Sequence, residues 1–126
     1  MSGADRPSPS QRLRASQRVK RNRDFIAARQ HGRRADCGAF LLLWRARPEP
    51  AAATPARVGV VASRVSVGNA VARAAAKRRL REIYRKHQAL VPAGLDLVMT
   101  ARPALLRLDF ADVERRFIDV CRKLRT

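Results

Sequence analysis

The sequence predicts an α/β domain of the α+β sandwich kind, one compact unit of helices on a small sheet, and three observations carry that prediction. With 126 residues, 46% of them hydrophobic, the chain can build one modest core. Apolar runs of strand length alternate with helical periodicity in the order helix, strand, strand, helix, strand, helix. Aromatic residues make up only 5%, so Ala, Val, Leu and Ile must fill most of the interior.

Taken in order, Met1 to Ser16 mixes Ser, Pro, Gln and Arg without apolar periodicity and reads as a disordered basic tail, leaving 17–126 as the domain. Arg18 to Gln30 reads as a short helix with Phe25, Ile26 and Val19 as apolar contacts; Arg14, Arg18, Lys20, Arg21 and Arg23 make its approach positive. His31-Gly32 should end it, because glycine suits the left-handed position after a last turn. Ala39 to Arg45 is short, apolar and free of breakers, as a buried strand would be. Pro48, Pro50 and Pro55 then exclude a central strand, so this stretch reads as a hairpin connection to a returning strand, Arg57 to Ala62. Ser63 to Asn69 is a loop, and a helix follows from Ala70 to Lys86. Pro92-Ala-Gly94 introduces a third main strand, Leu95 to Arg102, stopped by Pro103. Asp109 is placed to cap the last helix through its carboxylate. Phe110, Val113, Phe117, Cys121 and Leu124 give that helix an apolar stripe.

Charge narrows the function. Lysine and arginine total 28 against 10 acids, a net charge of +18, which points to a polyanionic partner. Two cysteines and no secretory signal argue against a disulfide scaffold and for a reducing, cytoplasmic setting. No apolar run reaches the roughly 20 residues that a membrane-spanning helix needs.

The Ala70–Lys86 segment concentrates the charge. Arg73, Lys77, Arg81 and Arg85 follow one another at four-residue spacing and rise along one face, with Arg78 beside them. Ala72, Ala76, Leu80 and Ile83 fall on the far side and can seat the helix on a sheet. Like charges at this spacing repel by a few tenths of a kcal/mol per pair, and Glu82 offsets little of that. Phosphates laid along the row would relieve it and release counterions. A merely solvated face would intersperse acids, and a lipid-bound helix would need larger apolar anchors than alanine. No helix-turn-helix spacing, zinc set or heptad argues for DNA. Phe25 among cations and Trp44 in the next strand suit splayed single-stranded bases, so RNA is favoured.

Protein-based catalysis finds no support. His31 and His87 are far apart and beside no nucleophile, and Cys37 and Cys121 lack metal-ligand spacing. Asp96, Asp109, Asp112, Glu114 and Asp119 are scattered, whereas two-metal phosphoryl chemistry needs converging carboxylates. No catalytic and no metal-binding residue is assigned to the chain.

Gly68 to Glu82, GNAVARAAAKRRLRE, resembles the signature of the bacterial ribonuclease P protein subunit: Gly-Asn-Ala-Val, then Arg-Asn-Arg, Lys-Arg and Arg-Glu at fixed spacing. Arg18-Val-Lys, Asp24-Phe25, His31-Gly32-Arg33, Phe40, Arg57-Val-Gly-Val, Ser63-Arg64, Asp96-Leu-Val and Arg102-Pro103 agree in order, so the similarity runs from Arg18 to Leu124. Three departures stand out. Arg73-Ala74-Ala75 replaces Arg-Asn-Arg, the loop carrying Val65 and Ser66 is one residue longer, and Arg29 stands where the first helix usually has an aromatic.

The resemblance implies a compact α/β fold like that of a ribosomal-protein domain, with a left-handed crossover around the basic helix; chain chirality alone favours a right-handed one. It implies a subunit of an endoribonuclease whose RNA performs metal-assisted hydrolysis of precursor tRNA, freeing the mature 5′ end, with Mg2+ held mainly by that RNA. On this reading Arg73, Lys77, Arg78 and Arg81 meet the RNA subunit's backbone, and Ser63, Arg64 and Asn69 are loop donors. Lys20, Arg21, Phe25 and Arg29 line a cleft for the 5′ leader. The competing reading is a general or ribosomal-type RNA-binding protein without a role in tRNA processing.

Overall fold

The computed structural model describes residues 18–19, 22–48 and 54–125. Four strands, β1 (Arg33–Asp36), β2 (Phe40–Ala46), β3 (Arg57–Val61) and β4 (Leu95–Ala101), form one mixed sheet in the order β1-β2-β4-β3. The helices are α1 (Asn22–His31), a single turn α2 (Arg64–Val67), α3 (Ala70–His87) and α4 (Phe110–Cys121). The predicted tail falls outside the described residues.

The connection between β2 and β3 is not a hairpin, because β4 lies between them, antiparallel to β2 and parallel to β3. The physical reason is visible in β4 itself. Leu95, Leu97, Met99 and Ala101 enter the main core on one face, while Val98 packs under Ala28 and Leu43 on the other. A strand that is apolar on both faces is stabilised most in the middle of a sheet. Strand β1 was not predicted: Arg33, Arg34 and Asp36 are exposed and carry no apolar alternation, as suits a charged sheet edge.

Helix α1 begins later than predicted. Arg18 bridges Val58 in parallel, and Val19 is buried with its amide 2.9 Å from the Val58 carbonyl, so this stretch extends along the β3 edge. Gly32 does follow the helix, though for a different reason from the one expected, since its φ is not positive. A Cβ there would lie 2.4 Å from the Ala28 carbonyl oxygen and 2.7 Å from that of Trp44, so only glycine lets α1 turn this close to β2.

Phe40, Leu42 and Trp44 point from β2 into the main core, where Leu80, Ile83 and Tyr84 of α3 and Val113, Phe117 and Cys121 of α4 meet them. Trp44, only 7% exposed, therefore stacks on no RNA base, contrary to the sequence expectation. Strand alternation turns it to the α3 side of the sheet. The α4 stripe packs as predicted. Asp109 occupies the cap position, but its carboxylate makes no capping bond; its backbone carbonyl accepts from Asp112 at 3.0 Å and Val113 at 3.1 Å.

Candidate nucleic-acid interface

Local sequence sets the start of α3 by two devices. Gly68 has φ +120°, a region that side chains avoid, so glycine there allows the sharp entry. The Asn69 side-chain oxygen then accepts from the Ala72 amide at 2.9 Å, while Ser63 caps α2 by accepting from Ser66 at 3.1 Å. Two of the three loop residues expected to donate to RNA, Ser63 and Asn69, are thus also acceptors within the protein. Arg64 is exposed on α2.

Ala76, Leu80, Ile83 and Tyr84 bury the inner face of α3; Ala72, expected among them, is only half-buried. Fixing that face turns the basic row outward. Arg73, Lys77, Arg78, Arg81 and Arg85 line a groove of about 700 Å3, with Ala70 and Ala74 between them. Arg18, carried there by the extended segment beside β3, also lines it.

What pairs these cations decides what the groove can do. Arg85 is bound to Glu82, the only acid among the described residues that line the groove. Arg73, Lys77, Arg78 and Arg81 make no side-chain hydrogen bond or ion pair with any described residue. The Arg73 Nε is buried and has no protein partner. Four charges on one helix face without partners among the described residues can accommodate a polyanion.

The other α3 cations behave differently. Arg79 donates to the carbonyls of Leu105 at 2.6 Å and Leu108 at 2.8 Å, and its guanidinium lies 5.9 Å from the Phe110 ring. Lys86 Nζ is 3.1 Å from Glu114 Oε2, and His87 Nε2 lies 2.7 Å from the same oxygen. The His87 hydrogen bond, chiefly, holds the Glu114 carboxyl below its ordinary pKa. His87 is accordingly a structural histidine.

Across the sheet, α1 covers Leu43 and Val98 with Ala28, and Val61 packs at the margin. Of the residues expected in the leader cleft, Arg29 is exposed on α1, and Phe25 belongs to the same helix. Lys20 and Arg21, like the Phe25 side chain, lie outside the described residues. Ile26 is 43% exposed beside them in sequence.

One cluster escaped sequence reasoning. Asp96, fully buried, receives Arg57 through two nitrogens, at 2.8 and 2.7 Å, and Arg47 at 2.7 Å. Arg47, itself 6% exposed, also donates to the carbonyls of Leu95, Thr54 and Pro55. Burial alone would raise the Asp96 pKa; hydrogen bonds from Arg57 and Arg47 outweigh it and hold the carboxyl below its usual range. Cys37 is half-buried, its thiol pushed up to about 11 by burial and then by Asp36, which keeps it unreactive. Cys121 is core. Among the described residues, no three His, Cys, Asp or Glu side chains are grouped to hold a metal ion.

Comparison with known proteins agrees with this architecture. The family model for ribonuclease P matches residues 13–125. The ribonuclease P protein component of a Nocardioides species is 40% identical over 103 residues, covering 82% of this chain and 86% of that protein. That of Brevibacillus brevis is 34% identical over 111 residues, covering 88% and 85%. Among solved structures, the ribonuclease P protein of Thermotoga maritima superposes with a TM-score of 0.72 at 27% identity, covering 84% of this chain and 96% of the other.

Proposed function

The chain belongs to the ribonuclease P protein family and is a subunit of that endoribonuclease, and from this premise we propose how its two faces divide the work. The α3 groove takes the backbone of the catalytic RNA, through Arg73, Lys77, Arg78 and Arg81, with Ser63, Arg64 and Asn69 before the helix as further donors. The sheet face beside α1 takes the 5′ leader of precursor tRNA, with Lys20, Arg21, Phe25 and Arg29 as the residues that contact it. The observation that carries this reading is the row of cations on α3 that have no partner among the described residues, in a groove whose described lining holds one acid.

The mechanism assigned to the chain is electrostatic. A buried inner face fixes the backbone that spaces these cations a helical turn apart, so only their side chains remain to be ordered on binding. Each phosphate they meet releases a counterion, and folded RNA segments that would repel one another can approach. Leader capture by α1 and the sheet would orient the scissile bond toward the RNA's active site. Magnesium would activate water there. The buried Asp96 carboxylate is occupied by two guanidinium groups and is not free to hold an ion.

Reconstitution with a ribonuclease P RNA tests the proposal. The protein should stimulate precursor tRNA cleavage at low magnesium. Lys77→Ala and Arg78→Ala should each lower the salt slope of RNA binding by about 1. Phe25→Ala should cost roughly 1–3 kcal/mol of affinity for precursor and spare leaderless tRNA. General RNA binding without stimulated cleavage would favour the ribosomal-type reading instead.

A further inference from the structure

The cations along the groove side of α3 change their state near the end of the helix. From Arg73 to Arg81, about 12 Å of helix axis, Arg73, Lys77, Arg78 and Arg81 have no partner among the described residues. In the last turn each basic residue is matched by an acid. Arg85 is bound to Glu82, and Lys86 and His87 share the Glu114 carboxylate. Glu82 sets the boundary between the two states. Arg78 stands four residues before it and Arg85 three after, both within reach on the helix surface. An acid N-terminal to its cationic partner makes the better helical pair, and Glu82 takes Arg85, leaving Arg78 free. The carboxylate still faces the groove: Glu82 lines it, and 43% of its side-chain surface is exposed.

Building on the RNA-binding reading of the groove, we propose that Glu82 is a specificity-determining residue that ends the phosphate-binding row at Arg81. It neutralises Arg85 and repels any backbone that continues toward the C-terminus of α3. Charges act over a Debye length of about 8 Å at physiological salt, and Arg85 is in direct contact with Glu82, well inside that range. The helix dipole adds to the barrier, because the carbonyl end of α3 carries partial negative charge. Selectivity follows from the path of the backbone. A folded RNA that leaves the helix after Arg81 meets four free cations and avoids the carboxylate. A flexible strand laid along the whole groove must pass Glu82, and the fifth cation it reaches is already taken. Basic grooves bind nucleic acid of any sequence through counterion release, so an acid at a defined place rejects the wrong path by giving up one contact.

The test is a pair of salt titrations of the full chain, one against its cognate ribonuclease P RNA and one against poly(U). In Glu82→Gln the poly(U) slope should rise by about 1, and the affinity at about 0.1 M salt about tenfold, as Arg85 is released for one more phosphate. The cognate RNA should bind within about twofold of the parent with an unchanged slope, so the preference for it falls about tenfold. Adding Arg85→Ala to Glu82→Gln should return the poly(U) slope to the parent value. The ion pair lies at the surface and glutamine matches glutamate in helix propensity, so melting temperatures should stay at the parent value. Poly(U) binding of Glu82→Gln within about twofold of the parent overturns the proposal. An equal gain for cognate RNA overturns it too, since Glu82 would then weaken all RNA alike, as does a raised slope that persists without Arg85. Arg78→Ala, measured alongside, separates the proposal from the reading it rests on. A lowered slope there, with poly(U) binding of Glu82→Gln unaltered, removes the boundary at Glu82 alone. An unchanged slope there with both RNAs removes the basic-face reading, and the boundary with it.

Discussion

The α3 groove and the Asp96 cluster are both built from arginine, and they use it in opposite ways. At Asp96, two guanidinium groups share one fully buried carboxylate, and the other donors of Arg47 find the carbonyl oxygens of Leu95, Thr54 and Pro55 and the Thr54 hydroxyl. Along the groove, Arg73, Lys77, Arg78 and Arg81 face a space of about 700 Å3 and pair with no carboxylate among the described residues. The first arrangement joins the Arg47 end of β2 to β3, β4 and the chain around Thr54. The second holds unbalanced charge at the surface, unfavourable for the isolated protein and favourable once phosphates arrive. Arginine content alone therefore says nothing about role; the position of the acids does.

That contrast breaks most visibly at Asp96. Asp96→Asn would leave a buried Arg47 uncompensated and should cost about 3–5 kcal/mol in urea unfolding, without lowering the salt slope of RNA binding by the folded fraction. A loss below about 1 kcal/mol would mean that the cluster is not a structural tie. Its pH dependence has a definite sign. The carboxyl's folded pKa lies below the unfolded value of about 3.9, so the contribution is fully present above that pH and lost as pH falls through the folded pKa. Acid unfolding of Asp96→Asn should accordingly be less steep than that of the parent.

Arg79→Ala comes next, because it strips the carbonyls of Leu105 and Leu108 of a charged donor; about 1.5–3 kcal/mol of stability should go, again with no change in salt slope. A lowered slope would place Arg79 with the RNA-facing cations. Glu114→Gln, which weakens the ties to Lys86 and His87 near the surface, should cost no more than about 1 kcal/mol in thermal unfolding. The smallest effect on stability belongs to Arg81→Ala, within about 0.5 kcal/mol by denaturation, even as the salt slope falls by about 1. If Arg81→Ala destabilised the fold by several kcal/mol, the line between the two groups of cations would be wrong.

Legibility followed the range of the interaction. The Ala70 start of α3, the four-residue basic spacing and the α4 stripe of Val113, Phe117 and Cys121 are periodic or nearest-turn signals, and a linear reading captures them. Strand β1 was invisible because Arg33, Arg34 and Asp36 look like loop residues until β2 is there to pair with them. The supposed hairpin failed because strand neighbours are chosen by burial on both faces, which Val98 and Met99 reveal only once both sides of the sheet are covered. Trp44 looked available for stacking because strand alternation leaves open which face is the core.

From the amino acids alone followed the net charge of +18, the helical register that lines up Arg73, Lys77 and Arg81, and the family signature around Gly68 and Asn69. Tertiary structure alone decided which cations remained free. Asp96 meets Arg57 across 39 residues and Arg47 across 49, and Arg79 finds its carbonyls 26 and 29 residues away. Helical period is set by bonds between near neighbours, whereas the neutralisation of a charge depends on which distant oxygens the closed sheet brings within hydrogen-bonding reach.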